Sequence, residues 1–172
     1  MTRFPIRSLR LRPGEEHREA LRPTLQPLTF GGEAYAATPP ELPAELLVQR
    51  AVSGDVFRLR FTTRLEGPCM RCLSPGGVDI DVHAQEYEAS DPSAGEEVHS
   101  EYVADGELDV DAWARDVVAL TVPDQILCRP DCAGLCPVCG KDLNVEPHEH
   151  SDVAADPRWA ALEALRDDVR ER

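Results

Sequence analysis

Four cysteines lie within twelve residues of this chain, at spacings that suit a zinc ion. They are Cys128, Cys132, Cys136 and Cys139, in the segment CRPDCAGLCPVCGKDLN. Two residues between Cys136 and Cys139 let both sulfur atoms face one metal, and Gly140 lets the chain turn directly after them. A thioredoxin-type redox pair should open a helix, whereas Pro137 and Gly140 frame a turn. The pattern therefore favours zinc over redox or disulfide chemistry.

A second Cys–X–X–Cys pair and a His–X–His pair are further candidate ligands. They are Cys69 with Cys72, and His148 with His150. Two arrangements remain open. In one, a single zinc ion is held by Cys128, Cys132, Cys136 and Cys139, and the first pair stays free. In the other there are two zinc ions, one held by Cys69, Cys72, Cys128 and Cys132 and one by Cys136, Cys139, His148 and His150.

No pattern of catalytic residues accompanies these ligands. The sequence has no phosphate-cradling glycine loop and no Gly–X–Ser–X–Gly turn. A zinc deaminase needs His–X–Glu before its cysteines, but His148-Glu149-His150 follows them. Four protein ligands also leave zinc no open position for a substrate. We therefore expect a structural metal, no catalytic residues, no enzyme activity and no small-molecule substrate.

The charge distribution points towards basic partners. The net charge is −14, yet residues 1–22 hold six arginines and three acids. Residues 79–111 contain twelve acids and neither lysine nor arginine. Such a stretch repels nucleic-acid phosphates and suits a basic protein, or it forms a solvated loop. The N-terminus lacks an apolar run of signal-peptide length, and no stretch approaches the ~18 apolar residues of a membrane span. These observations predict a cytoplasmic protein that does not contact a membrane.

Strands must position the first cysteine pair. The opening segment, to about residue 40, is rich in proline and predicts short strands and loops, with the Arg–Leu alternation of residues 7–13 as an edge strand. Residues 46–52, 55–65 and 78–85 alternate apolar and polar side chains, which predicts an antiparallel meander. Cys69 and Cys72 lie in the loop between its second and third strands.

Two helices are predicted around the cysteine-rich block. Leu108, Trp113, Val117 and Leu120 recur at helical spacing, Asp109 or Asp111 can cap the helix, and Pro123 ends it. A second helix begins at Asp156 and Pro157, with an apolar stripe formed by Trp159, Leu162, Leu165 and Val169. Residues 89–106 predict a long acidic loop. His17, His83 and His99 have no neighbouring ligands and are expected at the surface.

These elements predict an α+β protein with an antiparallel β-sheet or open barrel, a helix, a zinc knuckle and a C-terminal helix. The expected domains are a β-rich body with the acidic loop and one helix (1–122), the knuckle (123–150) and the C-terminal helix (151–172).

The same residues resemble a known family. The segments CMRCL, GELDVDAWARDVVALTVP, CRPDCAGLCPVCGKDLN and DPRWAAL together are similar to the YceD family of large ribosomal RNA subunit accumulation proteins, and most like an actinobacterial member with a C-terminal zinc knuckle. The resemblance spans residues 46–165. Family patterns carry over at the six cysteines. Many relatives end the block with Cys–X–Cys where this chain has His148-Glu149-His150, which favours the two histidines as ligands.

The resemblance implies a non-catalytic ribosome-biogenesis factor that supports accumulation of large-subunit (23S) ribosomal RNA. One expected partner is a basic large-subunit ribosomal protein, received on the acidic surface. The other is pre-rRNA, for which a basic patch of Arg58, Arg60, Arg64, Arg71 and Arg129 is the candidate. A redox or zinc sensor that uses the cysteine pairs is the alternative from a different class.

Overall fold

The computed structural model describes residues 2–150, and the predicted C-terminal helix with its stripe of Trp159, Leu162, Leu165 and Val169 lies outside the described residues. The chain divides into two compact units, with the boundary after Cys132. The sequence predicted a boundary after residue 122. In the structure residues 123–132 belong with the first unit, because the backbone N–H of Met70 donates to the carbonyl oxygen of Ile126, which is fully buried.

Nine strands and one α-helix form the regular structure of the described residues, and no helix among them is long and apolar enough to cross a membrane. In chain order they are β1 (Arg3–Pro5), β2 (Glu16–Leu21), β3 (Leu28–Phe30), β4 (Glu33–Thr38), β5 (Ala44–Arg50), β6 (Gly54–Pro68), β7 (Pro75–Ala89), β8 (Val103–Ala104), β9 (Glu107–Asp109) and α1 (Val110–Thr121). Short 3₁₀ turns span Ile6–Ser8 and Glu96–Val98.

The first unit is built around a long hairpin of β6 and β7. These two antiparallel strands of 15 residues each pair along their whole length, from Gly54 opposite Ala89 to Pro68 opposite Pro75. The other edge of β6 is shared, since its first half pairs with β5 and its second half with β4. The sheet continues to β2 beyond β5 and to β3 beyond β4. Strands β1, β9 and β8 form a small second sheet, so both sheets are open and the α+β prediction is confirmed.

Strict alternation makes β6 a half-buried strand. Phe57, Leu59, Phe61 and Leu65 are at most 5% exposed, while Arg58, Arg60, Thr62 and Arg64 lie on the other face. Successive strand side chains point to opposite faces, so one apolar face of the sheet faces the core. The core continues through Ile80 and Val82 of β7 and Trp113 and Val118 of α1. The predicted meander is therefore present.

Helix α1 begins and ends where the sequence predicts. The Asp109 side chain accepts a hydrogen bond from the backbone N–H of Ala112 at 3.1 Å, and the helix stops before Pro123. Trp113 and Val118 are buried, but Leu108 lies in β9 before the helix and Leu120 is 86% exposed, so the predicted apolar stripe is wrong at its first and last residues. Leu120 lies two residues beyond Val118, a rotation of about 200° around the helix, which turns its side chain to solvent.

We expect Asp109→Ala to destabilise the first unit by about 1 kcal/mol, because the capping carboxylate is lost and the Ala112 N–H remains without its acceptor. Thermal unfolding followed by circular dichroism measures this change. Asp109→Asn retains an acceptor and serves as the matched control. A variant Asp109→Ala that unfolds at the wild-type midpoint would show that the cap contributes nothing.

The arginine–leucine run of residues 7–13 does not form the predicted edge strand. It comprises the end of a 3₁₀ turn and an irregular loop, and the strand that pairs with β5 is Glu16–Leu21 instead. Leu9 and Leu11 pack against the core without a partner strand. Gly14, with φ of 91°, turns the chain, and Gly14 and Glu15 then exchange backbone hydrogen bonds with Arg50. The alternation thus reflects packing of two leucines from a loop.

The acidic segment after β7 is anchored at its centre. The Glu88 carboxylate contacts Nδ1 of His99 at 3.0 Å and accepts the backbone N–H of Ser100 at 2.9 Å. His99 is consequently half-buried, and its predicted surface position is wrong. The predicted loop of residues 89–106 also contains a 3₁₀ turn and β8.

The described part of the second unit, residues 133–150, is a small knuckle. Leu135 and Asp142 form an isolated antiparallel bridge. The Asn144 side chain accepts the backbone N–H of Ala133 at 2.8 Å, and the backbone N–H of Leu143 donates to Gly134 at 2.9 Å. Val138 and Val145 are more than half exposed, so apolar burial contributes little to this unit.

Candidate metal sites

The hairpin tip between β6 and β7 presents two cysteines to a distant part of the chain. Within the tip, the backbone N–H of Cys69 donates to Ser74 at 2.8 Å, and that of Leu73 donates to Cys69 at 2.9 Å. The Met70 N–H donates to the Ile126 carbonyl at 2.9 Å, and the Ile126 N–H donates to Sδ of Met70 at 3.4 Å. These bonds place the tip beside the segment that carries Cys128 and Cys132.

The first cluster consists of Cys69, Cys72, Cys128 and Cys132, whose sulfur atoms all lie within 4.8 Å of one another. The Sγ atoms of Cys69 and Cys132 are 3.8 Å apart, and those of Cys72 and Cys128 are 3.6 Å apart. A tetrahedral zinc ion with Zn–S bonds of ~2.3 Å separates its sulfur ligands by about 3.8 Å. All four cysteines are free thiols. The cluster therefore has the dimensions of a tetrahedral thiolate site before any ion is considered.

Burial and hydrogen bonding shift the pKa values of two of these thiols in opposite directions. Burial alone raises the pKa of Cys69, but the backbone N–H groups of Arg71, Cys72 and Cys128 point at its sulfur and lower that pKa to about 6. Burial and hydrogen bonds with the neighbouring thiols raise the pKa of Cys128 to about 12. Four thiolates at this distance repel one another, and a divalent cation removes that penalty.

Arg71 lies between Cys69 and Cys72 in the sequence, and its side chain links the hairpin tip to the segment that carries Cys132. Its Nε–H donates to the Gln125 side chain at 3.1 Å, and its Nη1 donates to the carbonyl oxygen of Cys132 at 3.0 Å. Its backbone N–H contacts the Cys69 sulfur at 3.5 Å. Sequence spacing predicts Arg71 only as part of a basic patch, because its partners Gln125 and Cys132 are distant in the chain.

The second cluster consists of Cys136, Cys139, His148 and His150, and its ligand atoms also lie within 4.8 Å of one another. The knuckle forms because the Cys136 N–H donates to Lys141 and the Gly140 N–H donates to Cys136, both at 2.8 Å, and Gly140 adopts φ of 73°. The Cys139 sulfur is 3.1 Å from Nε2 of His148. Cys136 is buried, whereas Cys139 and His150 are exposed.

The second cluster is also prepared for a cation. The backbone N–H of Cys139 lowers the pKa of Cys136, against the effect of burial, to about 6, helped by the N–H of Val138 and by His148. The carbonyl oxygen of Glu146 lies 2.7 Å from Nδ1 of His148 and raises the pKa of that imidazole. A hydrogen bond at Nδ1 leaves Nε2 to face the metal, as in many zinc sites.

The structure brings together all eight candidate ligands, in two groups. Cys69 and Cys72 join Cys128 and Cys132 in the first unit, and Cys136 and Cys139 join the two histidines in the second. This grouping is the two-site arrangement, and the single site with four consecutive cysteines is not the one present. Either cluster could hold a metal ion, since each offers four soft or borderline ligands within the reach of one cation.

Comparison with known proteins gives the family. The family model for the large ribosomal RNA subunit accumulation protein YceD matches residues 57–166, which includes both clusters. This chain belongs to the YceD family. The match extends through the β6–β7 hairpin, α1 and the knuckle, so the elements that carry the ligands lie within the matched region.

Several curated relatives align with parts of this YceD chain. An uncharacterized protein of Mycobacterium tuberculosis is 43% identical over 126 residues, which cover 70% of this chain and 60% of the relative. The uncharacterized protein YlbN of Bacillus subtilis is 30% identical over 102 residues, which cover 57% and 58% of the two chains. A maize chloroplast protein named large ribosomal RNA subunit accumulation protein YCED homolog 1 is 42% identical over 41 residues, which cover 24% of this chain and 14% of the relative.

The aligned region thus spans about 60% of the length of the Mycobacterium tuberculosis relative. No solved structure matches this chain.

Proposed function

We propose that this chain is a non-catalytic, cytoplasmic ribosome-biogenesis factor that supports accumulation of large-subunit ribosomal RNA by binding a basic large-subunit ribosomal protein. Family membership supports the ribosomal role. The distribution of acidic side chains supports the choice of a basic protein as the partner. The two metal clusters are structural in this proposal.

The metal proposed for both clusters is zinc. Cys69, Cys72, Cys128 and Cys132 would hold one ion, and Cys136, Cys139, His148 and His150 a second. Zinc prefers tetrahedral sets of thiolates and imidazoles, and the sulfur separations of 3.6 and 3.8 Å in the first cluster match such a set. Four protein ligands leave no position for substrate or activated water. Each zinc ion would cross-link separate parts of the chain. This filled coordination shell supports a structural rather than a catalytic role for the metal.

The observation that carries the proposal is an acidic segment, residues 91–107, on the surface of the first unit. It contains no lysine or arginine, and its acids are all exposed: Asp91, Glu96, Glu97, Glu101, Asp105 and Glu107. By contrast, Glu88, Asp109 and Asp111 of the wider acidic stretch are engaged with backbone N–H groups of the protein itself. Glu107 contacts Arg3 at 3.6 Å and Asp91 accepts hydrogen bonds from Ser93, so the attraction of a basic surface is assigned to Glu96, Glu97, Glu101 and Asp105.

Binding to purified basic large-subunit proteins tests this role. We expect association at low salt that weakens as salt rises, because charges at the surface are screened. Glu96→Gln, Glu97→Gln and Glu101→Gln together should weaken it by about tenfold or more. The matched control changes three exposed acids elsewhere, Glu16→Gln, Glu41→Gln and Glu45→Gln. Absence of binding to every basic large-subunit protein at low salt would overturn the proposal.

Direct binding of pre-rRNA has less support, because most of the candidate arginines are already partnered. Arg64 contacts Asp79 at 2.8 Å and Glu66 at 3.5 Å, and Arg129 contacts Asp131 at 3.3 Å. Arg58 donates to Gln85 and Gln49. An RNA-binding surface would instead leave several cations free for phosphates, and affinity would fall steeply with salt. A steep fall in affinity for large-subunit RNA would favour this reading over the protein partner.

The sensor alternative is favoured by one observation, the exposure of Cys139 beside His148. Exposed thiolates are the ones that oxidants reach. A sensor would release the second zinc ion at low hydrogen peroxide and change its binding to the basic partner in step. Binding that is unaffected by release of the ion would leave the cluster as a structural element.

The cellular experiment is depletion of this protein, followed by the ratio of large- to small-subunit ribosomal RNA. We expect a lower ratio that wild type restores. Rescue by Cys136→Ser/Cys139→Ser would place the second cluster outside the biogenesis role, and failure of this variant alone would make the cluster part of it. An unchanged ratio after depletion would remove the ribosomal role.

Arg71→Ala is expected to lower the zinc affinity of the first cluster by about tenfold, because outer hydrogen bonds orient metal ligands. Arg71→Lys should fall between wild type and alanine, since one ammonium group cannot span Gln125 and Cys132 as the planar guanidinium does. Competition with a chromophoric chelator measures the affinity. Arg58→Ala, on the outer face of β6, is the control. Equal affinity of Arg71→Ala and wild type would contradict the positioning role.

A further inference from the structure

A cleft of about 630 Å³ in the first unit lies beside the hairpin tip, and of the eight candidate metal ligands only Cys69 lines it. It is bounded by the turn between β3 and β4, by residues 69–73 of the tip and by the end of α1. Its volume falls in the range of ~300–1,000 Å³ that is typical of binding pockets. These three parts of the chain are distant in sequence, so the cleft exists only in the folded sheet.

The side chains that line the cleft are mainly apolar, and two of these apolar side chains are unusually exposed. Phe30, Tyr35 and Val122 line it together with Met70 and Leu73. Met70 is 38% exposed and Leu73 is 61% exposed. The Tyr35 hydroxyl donates to the Pro68 carbonyl at 2.8 Å and the residue is only 1% exposed, so Tyr35 closes the floor of the cleft, and Phe30, Met70 and Leu73 supply its accessible apolar surface. An unbranched thioether such as Met70 adapts its shape to different apolar guests.

Leu73 is unexpected in its position. It has φ of 62°, the left-handed region that residues with a side chain rarely adopt and that glycine or asparagine adopts at lower cost. Its side chain is mostly in water, so folding gains little from a leucine here. A strained, exposed apolar residue at the rim of an apolar cleft is explained when the side chain contacts a partner.

The charges at the cleft select the kind of partner. Among the residues lining it, Glu33 and Asp124 carry the only formal charges, and both are exposed. The lining holds no lysine, arginine or histidine. An apolar floor between two carboxylates fits an apolar side chain that has cationic side chains on either side of it, and it disfavours acidic or phosphorylated ligands.

We propose that this cleft is the docking site for a basic protein segment, with one leucine, methionine or aromatic side chain seated against Phe30, Met70 and Leu73 and with flanking lysines or arginines at Glu33 and Asp124. The proposal rests on the proposed function and names where the basic partner is held. The acidic segment attracts the partner over a distance, and the cleft supplies the short-range contact that fixes its register.

The test uses the zinc-loaded chain of 172 residues and a labelled synthetic peptide with a leucine–phenylalanine pair flanked by lysines and arginines. A second peptide has serines in place of the two apolar residues. We expect the first peptide to bind at least about tenfold more tightly, because only it buries apolar surface in the cleft. Equal binding of the two peptides would overturn the proposal and leave only charge attraction.

Leu73→Asn is the decisive variant. Asparagine tolerates the left-handed backbone, so the variant keeps the fold, and zinc content verifies that the adjacent Cys72 is unaffected. We expect about a tenfold loss of affinity for the leucine–phenylalanine peptide. The matched control is Val52→Asn, which removes an apolar side chain that is 91% exposed in another turn of the same unit. Wild-type affinity of Leu73→Asn would exclude the cleft.

Charge reversal separates this proposal from the proposed function. Glu33→Lys should lower the affinity for the leucine–phenylalanine peptide severalfold, whereas Glu41→Lys, outside the cleft, should leave that affinity unchanged. If changes in the acidic segment abolish binding of basic proteins while the Leu73 and Glu33 variants bind normally, the cleft proposal fails and the proposed function stands. A cleft already protected from solvent exchange without peptide would show that a second copy or another part of the chain fills it, which also overturns the proposal.

Discussion

Cys136→Ser is expected to unfold residues 133–150 while the β-sheet of the first unit keeps its structure. The knuckle has one antiparallel bridge, few backbone hydrogen bonds and exposed valines at positions 138 and 145. A segment with so little buried apolar surface depends on its metal, since the free energy of zinc binding is the free energy of folding in such small elements. Amide hydrogen exchange of the zinc-loaded chain should show loss of protection in this segment alone.

Val138→Ser is the matched control, because it changes an exposed side chain between the two cysteines of the same knuckle. Its amide protection should equal that of wild type. Zinc content should fall from about two ions per chain to about one in Cys136→Ser and stay at two in the control. Retained protection of residues 133–150 in Cys136→Ser would mean that the knuckle folds without its metal.

Cys132→Ser is expected to have the larger effect on the first unit. Cys69 and Cys132 are 63 positions apart, and both are buried. On the chain-entropy description of cross-links, closing a loop of about 60 residues contributes about 4 kcal/mol. Loss of the first metal should therefore lower the unfolding midpoint of the first unit by on the order of 10 °C. Differential scanning calorimetry, with zinc content measured on the same sample, tests this expectation.

Removal of zinc from the wild type by a strong chelator should reproduce the calorimetric change, because both treatments open the same loop. Ser74→Ala lies in the hairpin tip but outside the cluster, and its unfolding midpoint should equal that of wild type. The Cys132→Ser chain should retain one zinc ion in the second cluster. An unchanged midpoint in both Cys132→Ser and the chelated wild type would show that the sheet is stable without the cross-link.

The parts of the fold that sequence predicted are those dictated by local periodicity. The alternation around Phe57, Leu59 and Phe61 gave β6, since one face of an antiparallel strand is buried and the other solvated. The same reasoning failed for residues 7–13, where an alternation of arginine and leucine is also satisfied by a loop that packs two leucines on the core. Leu120 failed because a loose apolar spacing does not show where the buried face of a helix ends.

The ligand residues could be predicted, whereas their grouping could not. Cysteines and histidines at short spacings indicate a metal whatever the fold. Spacing alone allowed one site or two, since only the pairing of β6 with β7 and the contact of Met70 with Ile126 decide which cysteines meet. The bridging role of Arg71 and the cleft beside Leu73 had no sequence signal at all, because each depends on segments that are far apart in the chain.

The unequal spans of the two clusters imply an order in which the proposed metal ions would bind during synthesis and folding. The second cluster draws all its ligands from residues 136–150, so a chain that is otherwise unfolded can already bind an ion there. In the first cluster, Cys72 and Cys128 are 56 positions apart, and Cys69 and Cys132 are 63 positions apart. These ligands are expected to meet only after the two 15-residue strands β6 and β7 have paired. Since the entropic cost of closing a loop rises with its length, we expect a metal ion to enter the first cluster later than the second. Its occupancy would then mark a completed fold, so a partner that contacts the tip would distinguish finished molecules from immature ones.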